Sequence, residues 1–211
     1  MATQLSLYND ALLACGERAL SSLTEERKPR RLLDQVWNSG GVKYCLEKGI
    51  WGFAKRTVSI DYDSSIEPPF GFNRAFVKPS DWVSTAALCS DEDFRVPLLR
   101  YEDEAGYWYS DLDTMYVMYI SNDDAYGMNL AEWPESFREF AVLHFASKIV
   151  LGLGKGQVKL DQILALRKDA LKTAKSKAMQ SEPTRFPPAG GWVRARGGRG
   201  GRQDTNGDSV G

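Results

Sequence analysis

Apolar residues recur at helical spacing near both ends of the chain and alternate at strand spacing between them. Over residues 5–15, Leu5, Tyr8, Leu12 and Cys15 share one face, which predicts a short helix, and Gly16 suits its C′ position. Thr24-Glu25-Glu26-Arg27 gives a polar start and Pro29 an early helical position, before Leu32, Leu33, Val36 and Trp37. Gly40-Gly41 interrupts the stripe, and Val42, Cys45 and Leu46 resume it. This predicts one long second helix, bent at the glycines and ending at Gly49. The passage Gly49-Ile50-Trp51-Gly52-Phe53 then leads into a different period.

Val58, Ile60 and Tyr62 alternate with Thr57, Ser59 and Asp61, the pattern of a half-buried strand. Further strands are predicted at 72–77, 82–88 and 95–101, separated by Lys78-Pro79-Ser80-Asp81 and other turn-forming stretches. Glu102-Asp103-Glu104-Ala105-Gly106 reads as a hairpin connection into Tyr107-Trp108-Tyr109. Residues 115–120 are apolar on both faces, which predicts a central, covered strand. Helical spacing returns after Pro134, where Phe137, Phe140, Ala141, His144 and Phe145 form a stripe running to Leu151. After Gly152-Leu153-Gly154-Lys155-Gly156, a last helix with a lysine-rich outer face is predicted over 158–179. Beyond Pro183, Pro187 and Pro188 the chain is poor in apolar residues and rich in glycine, so alone it is expected to be disordered.

At 211 residues the chain can hold one core with a sizeable insert. Its net charge of −1 provides no global attraction for nucleic acid or an acidic substrate. Charge is nevertheless uneven. Acids predominate over 91–113, bases over 155–177, and the tail adds Arg194, Arg196, Arg199 and Arg202. Such asymmetry fits subunits meeting acidic face to basic face, although ordinary solvated surfaces share it. The three cysteines, Cys15, Cys45 and Cys89, lie far apart and suggest reduced thiols in a cytoplasmic setting, with neither a zinc site nor a disulfide framework. The opening Met-Ala-Thr-Gln-Leu-Ser lacks the basic and apolar regions of a secretory signal, and no apolar run is long enough for a bilayer.

Catalytic patterns are weak. The single histidine, His144, sits on an apolar stripe and reads as a packed core or interface residue. Gly207-Asp208-Ser209-Val210-Gly211 has the letters of a nucleophile elbow without the strand and helix the elbow requires. The glycines at 152–156 follow a helix and lack the order of a phosphate loop. Asp111, Asp113, Asp123 and Asp124 lack EF-hand spacing and read as turn residues. An enzyme is therefore not expected, nor a cofactor or a catalytic or metal site. The sharpest chemical signal is Arg194-Ala195-Arg196-Gly197-Gly198-Arg199-Gly200-Gly201-Arg202 beside Trp192. It suits either nucleic acid, through Arg–phosphate contacts and stacking, or a protein partner on which a flexible arm orders.

Taken in order, these segments resemble the head-to-tail adaptor (connector) proteins of tailed bacteriophages, closest to the tail tubular protein A group. The residues that carry the likeness are 7–16, 31–53, Pro79-Ser80-Asp81-Trp82, 116–120 and 137–151, within a span of about 5–181. The resemblance implies an α+β fold, with a four-helix bundle platform formed by residues 1–53 and 121–182. It also implies an inserted antiparallel β-domain over 54–120 and an extended, flexible Arg/Gly-rich arm over 183–211. In function it implies a ring, usually dodecameric, under the portal protein in the virion neck. Such a ring extends the channel through which genomic DNA passes and meets the next tail component, a nozzle or tail tube protein. Phe186, Trp192, Val193, Arg194, Arg196, Arg199 and Arg202 would form a portal-binding arm, and Trp51 and Phe53 the joint between platform and insert. The Arg/Gly-rich ending departs from the family pattern and leaves the arm's target open between portal and DNA. A nucleic-acid-binding protein working through that tail is the alternative.

Overall fold

Thr3 opens the first helix by a reciprocal cap with Ser6. The Thr3 hydroxyl accepts from the Ser6 amide at 3.2 Å, and the Thr3 amide donates to Ser6 Oγ at 2.9 Å. The helix that follows, α1 (Gln4–Cys15), ends at Gly16 in the left-handed region, as its sequence predicts. The computed structural model describes residues 3–181. Among them the chain forms five α-helices and two small antiparallel sheets, an arrangement of mixed α and β structure.

The predicted long second helix is instead two helices, α2 (Lys28–Asn38) and α3 (Gly41–Leu46). Gly40 between them has φ 86°, which no continuing right-handed helix tolerates. Next comes α4 (Glu135–Ile149), the helix around which α1, α2, α3 and α5 (Gln157–Ser181) pack. Its burial exceeds the predicted stripe: Val142, Leu143 and Ala146 are buried along with Phe137, Phe140 and Phe145. Every residue over 141–146 is buried, so this stretch, covered from several sides, has no solvent face to keep polar. The 25-residue α5 buries only Ile163, Ala170 and Ala174 fully, and extends two residues past its predicted end.

Between α3 and α4 run six strands: β1 (Lys55–Asp61), β2 (Arg74–Val77), β3 (Trp82–Cys89), β4 (Glu102–Glu104), β5 (Tyr107–Ser110) and β6 (Thr114–Ser121). One sheet has the order β1-β6-β3 and the other β2-β5-β4. The apolar segment expected at the centre does lie there, since β6 is paired on both sides. The second predicted strand begins at Arg74 rather than Phe72. The strand expected over 95–101 does not form beyond a single bridge from Cys89 to Pro97. Two causes lie in the same stretch. The Asp91 carboxylate takes the amides of Arg95 and Val96 at 2.9 and 2.7 Å, and Pro97 has no amide to offer a ladder. The expected hairpin connection shrinks to Ala105-Gly106, because Glu102, Asp103 and Glu104 join the sheet.

Two apolar clusters result. The larger joins the helices to Trp51, Ala54, Val83, Ile120 and Trp133. The smaller holds Phe76, Leu88, Trp108, Met115, Val117 and Tyr119 within the strands. Among the described residues no helix is long and apolar enough to cross a membrane.

Candidate functional site

Trp51 and Phe53 sit where the helices give way to β1, and both pack on Phe137 of α4. Trp51 is buried, donates Nε1–H to the Leu46 carbonyl at 2.9 Å and meets Phe137 edge-on at 4.8 Å. Phe53 reaches Phe137 at 4.8 Å and Trp133 at 6.4 Å. Trp133 closes the group from the far side, with its ring 4.9 Å from Phe137 and its Nε1–H on the Gly127 carbonyl at 2.9 Å. Aromatic pairs of this kind add about 0.5–1.5 kcal/mol each beyond the area they bury.

A polar counterpart stands at the start of β3. Asp81 accepts from Arg56 of β1 at 2.9 Å, and from Tyr119 and Ser121 of β6 at 3.1 and 2.5 Å. Its backbone carbonyl takes the Asn122 amide at 2.9 Å. Burial opposes ionisation of Asp81, but the Ser121, Arg56 and Tyr119 hydrogen bonds outweigh it and hold the carboxyl below its usual range. Burial and the same carboxylate push the Tyr119 phenol up to about 12. The sequence reading names Asp81 only as part of a turn. Its role as a hub had one signal, the Pro79-Ser80-Asp81-Trp82 stretch, and nothing in that stretch identifies its partners.

Lys78 fastens the two sheets. Its side chain is 8% exposed, its Nζ lies 4.0 Å from the Trp82 ring and 5.3 Å from Trp108, and it pairs with Asp103. Trp108 donates Nε1–H to the other Asp103 oxygen at 3.1 Å.

His144 is buried in α4 and stacks on Tyr44 of α3 with ring centroids 4.4 Å apart. Lys48 covers the Tyr44 ring with its Nζ at 4.1 Å. Burial lowers the imidazole to about 4, helped by Arg167, Lys148 and Lys48, so it is neutral at pH 7. Its Nδ1 has no hydrogen-bond partner. Arg167 donates to Ser147 Oγ at 3.1 Å, and Ser147 donates to the His144 carbonyl at 2.7 Å. The imidazole is thus a neutral ring, stacked on Tyr44 and hemmed in by cations. Cys15, Cys45 and Cys89 are buried free thiols, and burial raises those of Cys15 and Cys45. Among the described residues no group of three His, Cys, Asp or Glu side chains could hold a metal ion.

The residues assigned to the arm, Phe186, Trp192, Val193, Arg194, Arg196, Arg199 and Arg202, lie outside the described residues. Comparison with protein-family models and with curated proteins finds no match to the chain.

Proposed function

We propose that the chain is a structural head-to-tail adaptor of a tailed bacteriophage. Many copies form a ring, taken from the resemblance as a dodecamer, between the portal protein and the next tail component. Genomic DNA passes through the ring, and no chemistry is required of the protein. In this reading α2 and α3 count as one broken helix, so that with α1, α4 and α5 they make a four-helix platform. The strands form an insert grown from it, and the segment beyond Pro187 is the arm that reaches the portal.

One observation carries the reading: the short motifs behind the resemblance converge on one junction. Trp51 and Phe53 meet Phe137, while Asp81 of the Pro-x-Asp-Trp turn grips Tyr119 and Ser121 at the end of β6. A junction tied by an aromatic cluster and a charged hub suits a part that transmits force from head to tail. The convergence supports an adaptor on grounds of architecture, by likeness of arrangement.

The alternative, a nucleic-acid-binding protein, draws on the Arg/Gly-rich ending alone. Mass photometry and negative-stain imaging of the full chain, alone and with portal-containing particles, separate the two. Rings, free or seated on portals, are the expected outcome. A strict monomer that ignores portals, binds nucleic acid at physiological salt and loses that binding on truncation after Pro188 would overturn the adaptor.

A further inference from the structure

An open groove of about 300 Å³ lies where α3, α4 and α5 meet. Tyr44, Phe140 and Leu164 give it an apolar floor, and Lys48, Arg167 and Lys168 give it a basic rim. The floor is prepared in advance: Tyr44 is held between His144 and Lys48, and Arg167 is anchored on Ser147. No carboxylate is among the described residues lining it. Three cations around an apolar slot, with a buried imidazole kept neutral beside them, form a surface suited to an apolar side chain flanked by acids.

The opposite character appears at the edge of the second sheet. Just before β4, Leu99 is 94% exposed and Tyr101 40%. β4 is an edge strand, and all three of its residues are exposed. Asp103 is occupied by Lys78, whereas Glu102 and Glu104, two positions apart, project from the other face. Arg100, between Leu99 and these carboxylates in sequence, is tied to Asp111 and donates to the Gly71 carbonyl, so an exposed leucine and two carboxylates are left as the complement of the groove.

We propose that residues 99–104 of one copy dock in the α3–α4–α5 groove of the next, with Leu99 on the apolar floor and Glu102 and Glu104 against Lys48, Arg167 and Lys168. This deepens the ring reading and rests on it. A contact between two different surfaces of one chain is heterologous, so it repeats from copy to copy and closes when the rotation allows. Charge selects this occupant over the chain's own terminal segment, whose Arg194, Arg196, Arg199 and Arg202 would meet a rim of like sign.

The test uses the full chain in mass photometry, alone and with portal-containing particles, as wild type, as the pair Lys48→Glu, Lys168→Glu and as the pair Glu102→Lys, Glu104→Lys. Each pair reverses the sign of one surface only, since two carboxylates then outnumber the one cation left on the groove rim. Each variant alone is expected to need about tenfold more protein for half-assembly, because like charges then face each other. An equal mixture of the two restores assembly to near the wild-type concentration, since in alternating order every groove again faces an edge of opposite charge. Mixing does not rescue a chain that has failed to fold. Wild-type rings insensitive to either variant would overturn this pairing and leave the ring standing. Impaired variants without rescue would also overturn it, as would rings lost only when residues 182–211 are removed. A wild type that never assembles, alone or on portals, would overturn the ring reading itself.

Discussion

Asp81 and His144 respond to acid in different windows. Hydrogen bonds hold the Asp81 carboxyl below its ordinary value in the folded chain. The stability it contributes is therefore complete above about pH 4 and disappears as pH falls through the lower folded value. Asp81→Ala is expected to cost about 2–3 kcal/mol at pH 7, because it strands three donors, one of them charged. In urea unfolding the difference from wild type should shrink below pH 3; a constant gap would mean that packing, not charge, dominates. His144 acts over higher pH. Its ordinary value is 6.5 and its folded value about 4, so between these the unfolded chain binds a proton that the folded chain refuses. Stability should fall by roughly 3 kcal/mol as pH drops through that interval, at 1.36 kcal/mol per pH unit. His144→Gln removes the titration and should flatten the profile between pH 7 and 4. An unchanged slope would place the acid sensitivity elsewhere.

Turns and close approaches decide the elements. Ala105 holds φ 48° in the two-residue turn between β4 and β5, a region where a Cβ is costly. Ala105→Asn should raise stability by about 0.5–1 kcal/mol in thermal unfolding, because asparagine tolerates that region better; a loss would mean the turn changes shape to accept it. Gly127 has the opposite sensitivity. A Cβ there would lie 2.2 Å from the Ser121 carbonyl oxygen and 2.7 Å from Leu46, beside the carbonyl that anchors Trp133. Gly127→Ala should cost about 2–3 kcal/mol, with the loss visible as a lower urea midpoint. What the chain reveals in advance follows from range. The ends of α1 and the central position of β6 are written in local caps and runs, and they are legible. The break at Gly40 is legible only as a bend, because Val36 and Trp37 before it and Val42 and Cys45 after it continue the apolar spacing while a single dihedral turns the path. Residues 95–101 carry strand-like letters, yet Asp91 takes two of their amides. The Asp81 hub is hidden because its partners lie 25, 38 and 40 positions away, so no window of sequence contains them. The groove is hidden likewise, built from three helices whose cations read singly as solvated charge.

At the scale of the whole molecule, an arm needs a platform that repeats. A single tethered segment binds weakly, but a ring carrying one arm per copy holds every arm at high effective concentration over its site. In the proposed adaptor the sequence of the arm offers two means of attachment, one aromatic residue at Trp192 and a set of arginines at 194, 196, 199 and 202. They predict different outcomes. An aromatic side chain that becomes buried on a partner typically contributes more than one exposed charge, which is worth about 0–1 kcal/mol. Trp192→Ala should therefore weaken co-sedimentation of the full chain with portal-containing particles more than any single Arg→Ala in the tail. Its effect should persist when salt is raised, since apolar burial is not screened. If each arginine instead costs as much as the tryptophan, and binding falls steeply with salt, the tail works electrostatically. In the proposed adaptor its target is then the DNA in the channel, and attachment to the portal falls to the platform.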